Sequence, residues 1–170
     1  LRHVMARVTD TGESMAVIVA AAKCLPHADA LLPYLPDVDS VYLNVNRADT
    51  NVIFGPEFRL LRGRPALEER IGGLRFAVSP QSFLQVNARQ VAVLYGEAVR
   101  LLGATPREHI VDAYCGVGTI SLLLAAHAAQ VTGIEVVPEA VENARENAAA
   151  NGVANASFLC GPVEDVLVRL

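Results

Sequence analysis

The stretch VDAYCGVGTISLLLA, residues 111–125, decides how the second half of the chain folds. A short apolar run passes through a turn that contains Gly116 and Gly118, and it continues as a helix rich in leucine and alanine. Because glycine has no Cβ atom, a ligand can approach the backbone of such a turn closely. The first amide groups of the following helix have no partner within the helix and can also face that ligand. The turn therefore predicts a ligand site at the end of a β-strand.

Predicted strands alternate with predicted helices around this turn. The strands read HIVDAY, QVTGIEVV and ASFLC, and the helices between them read ISLLLAAHA and PEAVENARENAAANG. This alternation is typical of a doubly wound parallel sheet, so we expect the α/β class. Three strands are fewer than such sheets usually contain. We therefore expect residues 86–170 to form a truncated Rossmann-like domain, in a chain that is a piece of a longer protein.

A further helix is predicted before the first of these strands, over residues 87–102, with Gly103 as its stop signal. Apolar residues at helical spacing predict that one face of this helix packs against the sheet. The predicted stripe consists of Val91, Leu94, Tyr95, Ala98 and Leu102.

Residues 1–85 have the pattern of a β-rich α+β domain. SMAVIVAAA predicts a buried strand, and SVYLNVNR alternates apolar with polar residues as a half-buried strand does. Gly72 and Gly73 predict the turn of a hairpin, since both can adopt positive φ angles. PHADALLPYLP predicts a short helix between the first two strands. We therefore expect two domains, residues 1–85 and residues 86–170.

The composition favours a folded protein of the cytoplasm. Apolar residues make up 52% of the chain, and no apolar run is long enough to cross a bilayer. The start of the chain carries no signal-peptide pattern. The three cysteines, Cys24, Cys115 and Cys160, form no CxxC motif, and the four histidines show no ligand spacing. We therefore expect no membrane partner and no metal, and we interpret the cysteines as packing residues.

A local cluster of basic residues lies in a chain whose net charge is −4. The negative net charge argues against a nucleic-acid partner, whereas a basic cluster favours one. The cluster contains Arg59, Arg62, Arg64, Arg70 and Arg75, with Glu68 and Glu69 among them. It is either the solvated surface of a hairpin or a face that contacts phosphates.

Two carboxylates at strand ends indicate the kind of ligand. Glu135 ends the strand after the turn, where it can accept hydrogen bonds from the hydroxyls of a ribose. A dinucleotide fingerprint would have a third glycine where this chain has Ser121, and the acid Asp112 would repel a pyrophosphate. The same acid suits the positive charges of S-adenosyl-L-methionine. The pattern therefore favours that cofactor over a dinucleotide, and the alternative that the glycines only form a tight turn stays open.

Three motifs together resemble one family. SPQSFLQVN (residues 79–87), the turn sequence quoted first, and GIEVVPEAVENARENAAANG (residues 133–152) are similar to the RNA (uracil-5-)-methyltransferases. The resemblance extends upstream to SVYLNVNRADTNVIFGPEFRLLRGRPALEERIGGLRF, and so covers nearly the whole chain. It implies S-adenosyl-L-methionine-dependent formation of 5-methyluridine in ribosomal or transfer RNA, with residues 1–85 as an RNA-facing domain.

The resemblance also implies roles for single residues. Gln85 would contact the cofactor near the target base, and Phe83 would either lie beside a flipped uracil or be a core aromatic. Glu135 would hold the ribose of the cofactor, and Asp112 belongs to the same pocket. The remaining residues that would line this pocket are Tyr114, Gly116, Gly118 and Thr119.

The chain departs from the family pattern in two ways. Pro162 stands where the family usually has an acid near the adenine, so that contact is lost or moves to Glu164 or Asp165. The nucleophilic cysteine and the general base of the family are expected beyond Leu170, so no catalytic residue is assigned here. Methylation of another RNA atom or of a protein stays open, as does a non-catalytic fragment that binds S-adenosyl-L-methionine or RNA.

Overall fold

The computed structural model of the protein describes residues 1–82 and 88–170. The chain divides into two compact units, Leu1–Glu68 and Glu69–Leu170. The division falls after Glu68 rather than after residue 85, because Phe76 and Val78 pack in the core of the second unit. Phe83 and Gln85 lie outside the described residues.

The first unit contains a mixed four-stranded sheet. Its strands are β1 (His3–Val8), β2 (Ser14–Ala20), β3 (Ser40–Val45) and β4 (Glu57–Gly63), in the spatial order β1-β2-β3-β4. The pair β2–β3 is parallel and the two outer pairs are antiparallel. A parallel pair requires a crossover connection, and this one contains α1 (Ala28–Leu31) and a 3₁₀ turn (Leu32–Tyr34). The short helix expected in PHADALLPYLP is therefore confirmed.

Strand β3 is buried at all six positions, so the prediction of a half-buried strand was wrong. The reason is that its polar side chains bind backbone groups of the same unit: Ser40 and Tyr42 donate to the carbonyls of Arg64 and Pro65, and Asn44 binds the segment that follows the strand. Asn44 donates hydrogen bonds to the carbonyls of Gly55 and Glu57, at 2.8 and 3.1 Å, and accepts one from the Gly55 amide at 2.8 Å. Asn46, just after the strand, donates to the carbonyls of Val52 and Ile53. A buried amide whose polar atoms are paired carries no desolvation penalty that would force it outward.

The boundary between the units falls within β5 (Leu67–Ile71), which forms a hairpin with β6 (Leu74–Val78). Gly72 and Gly73 form its turn, with φ angles of 59° and 82°, as predicted. Next comes α2 (Ala88–Leu102). Of the predicted stripe, Val91 is buried, whereas Leu94 and Leu102 are 57% and 54% exposed. The packed row of this helix runs instead through Val91, Tyr95 and Val99, which are spaced four residues apart.

A parallel three-stranded sheet forms the rest of the second unit. Its strands are β7 (His109–Ala113), β8 (Gln130–Glu135) and β9 (Ala156–Cys160), in the spatial order β7-β8-β9. The connections contain α3 (Thr119–Ala125) and α4 (Pro138–Ala150), and α5 (Val163–Leu167) follows β9. The predicted alternation of strand and helix is confirmed. Because parallel strands share one carboxyl edge, the ends of β7 and β8 meet there.

In the core between this sheet and its helices, the Phe158 ring lies close to the backbone of two glycines. A Cβ atom on Gly133 of β8 would lie 2.6 Å from the Phe158 ring and 2.7 Å from the Cys115 sulfur. A Cβ atom on Gly118 would lie 2.9 Å from the same ring. The two glycines therefore make room for Phe158, which is buried and in contact with Leu122, Val141 and Ala144 in one cluster. Within the described residues, no helix has both the length and the hydropathy that a membrane span requires.

Candidate functional site

The turn between β7 and α3, residues 114–118, is called the glycine turn below. Three of its residues have left-handed backbones: Tyr114 at φ 62°, Gly116 at φ 55° and Gly118 at φ 81°. Glycine adopts this region freely, but a tyrosine does so at a cost of about 1–2 kcal/mol. The Tyr114 ring is nevertheless 72% exposed and gains little from burial in return. A strained residue with an exposed aromatic ring is a feature of binding sites.

The two glycines of the turn differ in their surroundings. A Cβ atom on Gly116 would meet no other atom within 4 Å, so its backbone faces open space. A Cβ atom on Gly118 would instead meet Phe158 and Ala144 of the protein itself. Backbone that a ligand can approach is therefore found at Gly116. At Gly118 internal packing is sufficient to explain the glycine, and its predicted contact with a cofactor stays a prediction.

Glu135, the last residue of β8, points its carboxylate at the glycine turn. Its Oε2 atom accepts a hydrogen bond from the Gly116 amide at 3.1 Å. Its Oε1 atom accepts hydrogen bonds from the amides of Val136 and Val137, at 2.8 and 3.0 Å. Val137 is the N-cap of α4, where free amides and the helix dipole favour a negative charge. The carboxylate is therefore held in place by three backbone amides, one of them from the glycine turn.

Asp112 lies near the end of β7 and is engaged within the protein. Its Oδ2 atom accepts a hydrogen bond of 2.6 Å from the hydroxyl of Ser121, which is fully buried in α3. Burial raises the pKa of Asp112 above its usual value, while the hydrogen bonds from Ser121 act in the opposite direction. The residue thus ties the strand to the first turns of α3. Its predicted contact with a cofactor stays a prediction.

The thiol of Cys115 is buried inside the glycine turn. Burial, and then the negative charges of Asp112 and Glu135, raise its pKa to about 12. A thiol with this pKa is protonated at neutral pH and is a poor nucleophile. Cys115 also belongs to a buried core cluster, so its interpretation as a packing residue is confirmed. The same interpretation was wrong for Cys24 and Cys160, which are both exposed; the sequence pattern around them carries no burial signal that could have decided this.

Thr119 is the first residue of α3 and is buried next to Gly118. The turn and the strand ends thus bring six of the predicted site residues into one region of the second unit. These are Asp112, Tyr114, Gly116, Gly118, Thr119 and Glu135. Phe83 and Gln85 lie outside the described residues, and their roles stay predictions.

Asn147 of α4 belongs to the same region and was missed in the sequence. Its Nδ2 atom donates a hydrogen bond to the Val117 carbonyl at 3.1 Å, and its Oδ1 atom accepts one from the Ala77 amide at 2.8 Å. The side chain is 1% exposed. The signal that could have revealed it is the spacing of Asn143, Asn147 and Asn151, which places three amides on one helix face.

Three arginines of the basic cluster, Arg59, Arg62 and Arg64, have partners within the first unit. Arg59 pairs with Glu57, and Arg64 pairs with Glu13. Arg62 donates hydrogen bonds to three carbonyls around the 3₁₀ turn, those of Leu32, Leu35 and Val38. Arg62 therefore has a structural role. A phosphate-contacting role for the basic cluster stays a prediction.

In the described parts of the chain, no three His, Cys, Asp or Glu side chains are grouped as metal ligands would be. The candidate site consists of backbone amides, the carboxylates of Asp112 and Glu135 and the exposed Tyr114 ring.

Comparisons with known proteins agree with the fold of this region. Residues 104–169 match the model of a family described as "Methyltransferase domain". Uncharacterized RNA methyltransferases of Halalkalibacterium halodurans and Lactiplantibacillus plantarum are 45% and 46% identical over 98% and 92% of this chain. The chain spans only 38% and 35% of their lengths.

A solved structure is also similar over most of the chain. It is the tRNA (uracil-54, C5)-methyltransferase of Pyrococcus abyssi in complex with S-adenosyl-L-homocysteine. It is 31% identical with a TM-score of 0.77, and the match covers 93% of this chain and 38% of that one. Residues 104–169 therefore match a methyltransferase domain and have a Rossmann-like α/β fold, in a chain that is similar to RNA methyltransferases over nearly all of its length.

Proposed function

We propose that the chain binds S-adenosyl-L-methionine at the carboxyl ends of β7 and β8. The observation that carries this proposal is the 3.1 Å hydrogen bond between the Gly116 amide and the Glu135 carboxylate. It fixes an acceptor for the ribose beside a stretch of backbone that is open to a ligand. The methyltransferase domain match and the S-adenosyl-L-homocysteine bound to the similar archaeal enzyme support the same cofactor.

The remaining hydrogen-bonding capacity of Glu135 defines how the ribose would bind. A carboxylate offers about four lone-pair positions, and three are occupied by the amides of Gly116, Val136 and Val137. One position on Oε2 is left for a ribose hydroxyl. A second hydroxyl would have to replace one of the three amides, and the Gly116 amide is the one beside the open space.

The charges of the site favour a cationic ligand over a pyrophosphate. Asp112 and Glu135 both act on the Cys115 thiol in the turn, where their negative charges raise its pKa. The same field would attract the sulfonium and ammonium groups of S-adenosyl-L-methionine and repel phosphate oxygens. Ser121 also fills the place of the third glycine of a dinucleotide fingerprint and is bound to Asp112.

We propose further that the longer protein that contains this chain methylates carbon 5 of a uridine in RNA. Support comes from the similarity to the archaeal tRNA (uracil-54, C5)-methyltransferase and to the bacterial proteins named RNA methyltransferases. Carbon 5 of uracil is a weak nucleophile, and addition of a thiolate at carbon 6 activates it. The cofactor supplies the electrophilic methyl group. A base then removes the proton from carbon 5, and the thiol leaves.

We assign the nucleophilic cysteine to a part of the longer protein outside these 170 residues. Cys115 does not suit the role because its thiol is buried and its pKa is raised to about 12. In this proposal the chain holds and orients the cofactor, and the target base reaches it after leaving its stack.

The cofactor proposal is tested by calorimetry with S-adenosyl-L-homocysteine on the parent chain and two variants. Glu135→Ala should weaken binding by about 1.5–3 kcal/mol, which corresponds to roughly tenfold to more than a hundredfold in Kd, because a hydrogen bond to a charged group is lost. Glu135→Gln should also weaken it, since the amide nitrogen cannot accept the Gly116 hydrogen bond.

Glu142→Gln is the matched control, because Glu142 lies on the exposed face of α4 and pairs only loosely with Arg145 at 3.3 Å. It should bind as the parent does. Equal affinity of Glu135→Ala and the parent would overturn the proposal.

A further inference from the structure

Helix α4 and its C-cap residue, Asn151, present three asparagines to strand β6 and to the residues just after it. Asn151 accepts a hydrogen bond from the Arg75 amide at 2.9 Å and donates one to the Arg75 carbonyl at 2.6 Å. Asn147 accepts one from the Ala77 amide at 2.8 Å. Side-chain amides thus pair with alternate residues of β6 in the manner of a neighbouring strand. We call Asn143, Asn147 and Asn151 the asparagine ladder.

The third member of the ladder extends it beyond the strand. Asn143 donates a hydrogen bond of 3.3 Å to the hydroxyl of Ser82. The Ser82 hydroxyl in turn accepts one from the Ser79 amide at 3.1 Å, and Ser82 is buried. The segment of residues 79–82 is therefore held against α4 as well.

Asn147 differs from the other two because it also holds the glycine turn. While its Oδ1 atom binds Ala77, its Nδ2 atom donates to the carbonyl of Val117, which lies between Gly116 and Gly118. Both atoms of one buried side-chain amide are thus used to join the turn to β6. The carbonyl of Val117 belongs to the peptide that links it to Gly118, so this bond restrains the peptide next to the open backbone of Gly116.

We propose that Asn147 is a positioning residue for the cofactor site, which sets cofactor affinity by fixing the Val117 peptide without touching the ligand. The inference rests on the proposed function, because it assumes that the glycine turn binds S-adenosyl-L-methionine. It goes beyond that function because it makes the hairpin strand β6 part of the cofactor site through one side chain. A loosened Val117 peptide would displace the Gly116 amide, and with it the Glu135 carboxylate that this amide holds.

The test uses Asn147→Asp and pH. A protonated carboxylic acid has the shape of the amide, so it can accept from Ala77 and donate to Val117. An ionised carboxylate can still accept from Ala77 but repels the Val117 carbonyl. Burial raises the pKa of such a carboxyl, so both forms are accessible between about pH 5 and about pH 8. The Kd for S-adenosyl-L-homocysteine should match that of the parent within about twofold at the lower pH and be at least about tenfold weaker at the higher pH.

Asn151→Asp is the matched control, because it makes the same chemical change on the same helix face, where it meets β6 but not the glycine turn. Its Kd should follow that of the parent at both pH values. Binding is measured well below the melting temperature of each variant, so that a loss of stability alone does not move it. An unchanged Kd for Asn147→Asp at the higher pH, or an equal loss in Asn151→Asp, would overturn the inference.

A second measurement separates this inference from the proposed function. If the parent does not bind S-adenosyl-L-homocysteine, the proposed function fails, and hydrogen exchange then reports on Asn147 directly. The amides of Cys115, Gly116 and Gly118 should exchange at least about tenfold faster in Asn147→Asp at the higher pH than in Asn151→Asp. Equal exchange would overturn the link. Should Asn147→Asp not fold at either pH, Asn147→Ser, whose hydroxyl is too short to span both partners, is used in both measurements.

Discussion

At the scale of single residues, Tyr114 shows a conflict between backbone and side chain. Its left-handed φ of 62° costs free energy, and its ring is too exposed to repay that cost through burial. The position beside the open backbone of Gly116 offers a reason, since an aromatic ring there can cover a bound nucleoside. We therefore propose that the strained backbone of Tyr114 serves ligand binding, which the following variant tests.

Tyr114→Gly should therefore raise stability while it lowers affinity. The free energy of unfolding should increase by up to about 1 kcal/mol, because glycine adopts the left-handed region without strain. The Kd for S-adenosyl-L-homocysteine should rise. Thermal unfolding and calorimetry on the same samples measure both effects.

Tyr34→Gly is the control for this change, since Tyr34 is 83% exposed and is not among the residues with positive φ. It should lower the free energy of unfolding, because glycine adds entropy to the unfolded chain. If both variants are destabilised alike, strain at Tyr114 is not the explanation.

At the scale of elements, the contact between β8 and β9 depends on the absence of a side chain at Gly133. Gly133→Ala should destabilise the protein by about 1–3 kcal/mol, because the new methyl group would overlap the Phe158 ring and the Cys115 sulfur. Gly96→Ala in α2 should instead increase the free energy of unfolding. A Cβ atom there meets nothing within 4 Å, and alanine favours a helix by about 0.5–1 kcal/mol. Melting temperatures of the two variants measure the contrast, and a loss in both would contradict it.

The elements also show which features the sequence could predict. The strands and helices of the second unit could be predicted from the spacing of apolar residues and from the positions of glycines, because both are local signals in the sequence. The burial of Asn44 in β3 does not, because it depends on backbone groups of Gly55 and Glu57 that fold back over the strand. The exposed Leu94 and Leu102 of α2 were misjudged for a similar reason. The spacing of apolar residues predicts that a helix has an apolar face, but it does not predict how much of that face another element covers.

The sequence could predict those residues of the candidate site that lie at the ends of β-strands. Asp112 and Glu135 could be assigned to one edge because parallel strands share it. The partners of their carboxylates could not, since Ser121 and the Gly116 amide bind them through the tertiary fold. Asn147 was missed because a polar residue in an acidic helix is usually solvated, and only its partners reveal its burial.

At the scale of the whole molecule, we proposed that this chain holds the cofactor and that the nucleophile lies outside it. This proposal leads to a prediction about activity. The chain spans 38% of the length of the Halalkalibacterium relative, and its buried Cys115 is not suited to attack uracil. If the proposed function holds, the 170 residues alone should form no 5-methyluridine in RNA, whereas a longer protein that includes the nucleophile should form it. Mass spectrometry of RNA incubated with S-adenosyl-L-methionine and either protein measures this. Methylation by the 170-residue chain would show that the nucleophile lies within it.

The buried asparagines of the first unit have a consequence for how this protein can change. The side chains of Asn44 and Asn46 bind only main-chain atoms of the segment at residues 48–57, while residues 47–53 are exposed. The hydrogen bonds that fix the conformation of the loop therefore do not depend on the identity of its exposed side chains. Substitutions at residues 47–53 can therefore replace the exposed side chains while the backbone of the loop keeps its path. The binding specificity of this segment can change without changes in the sheet.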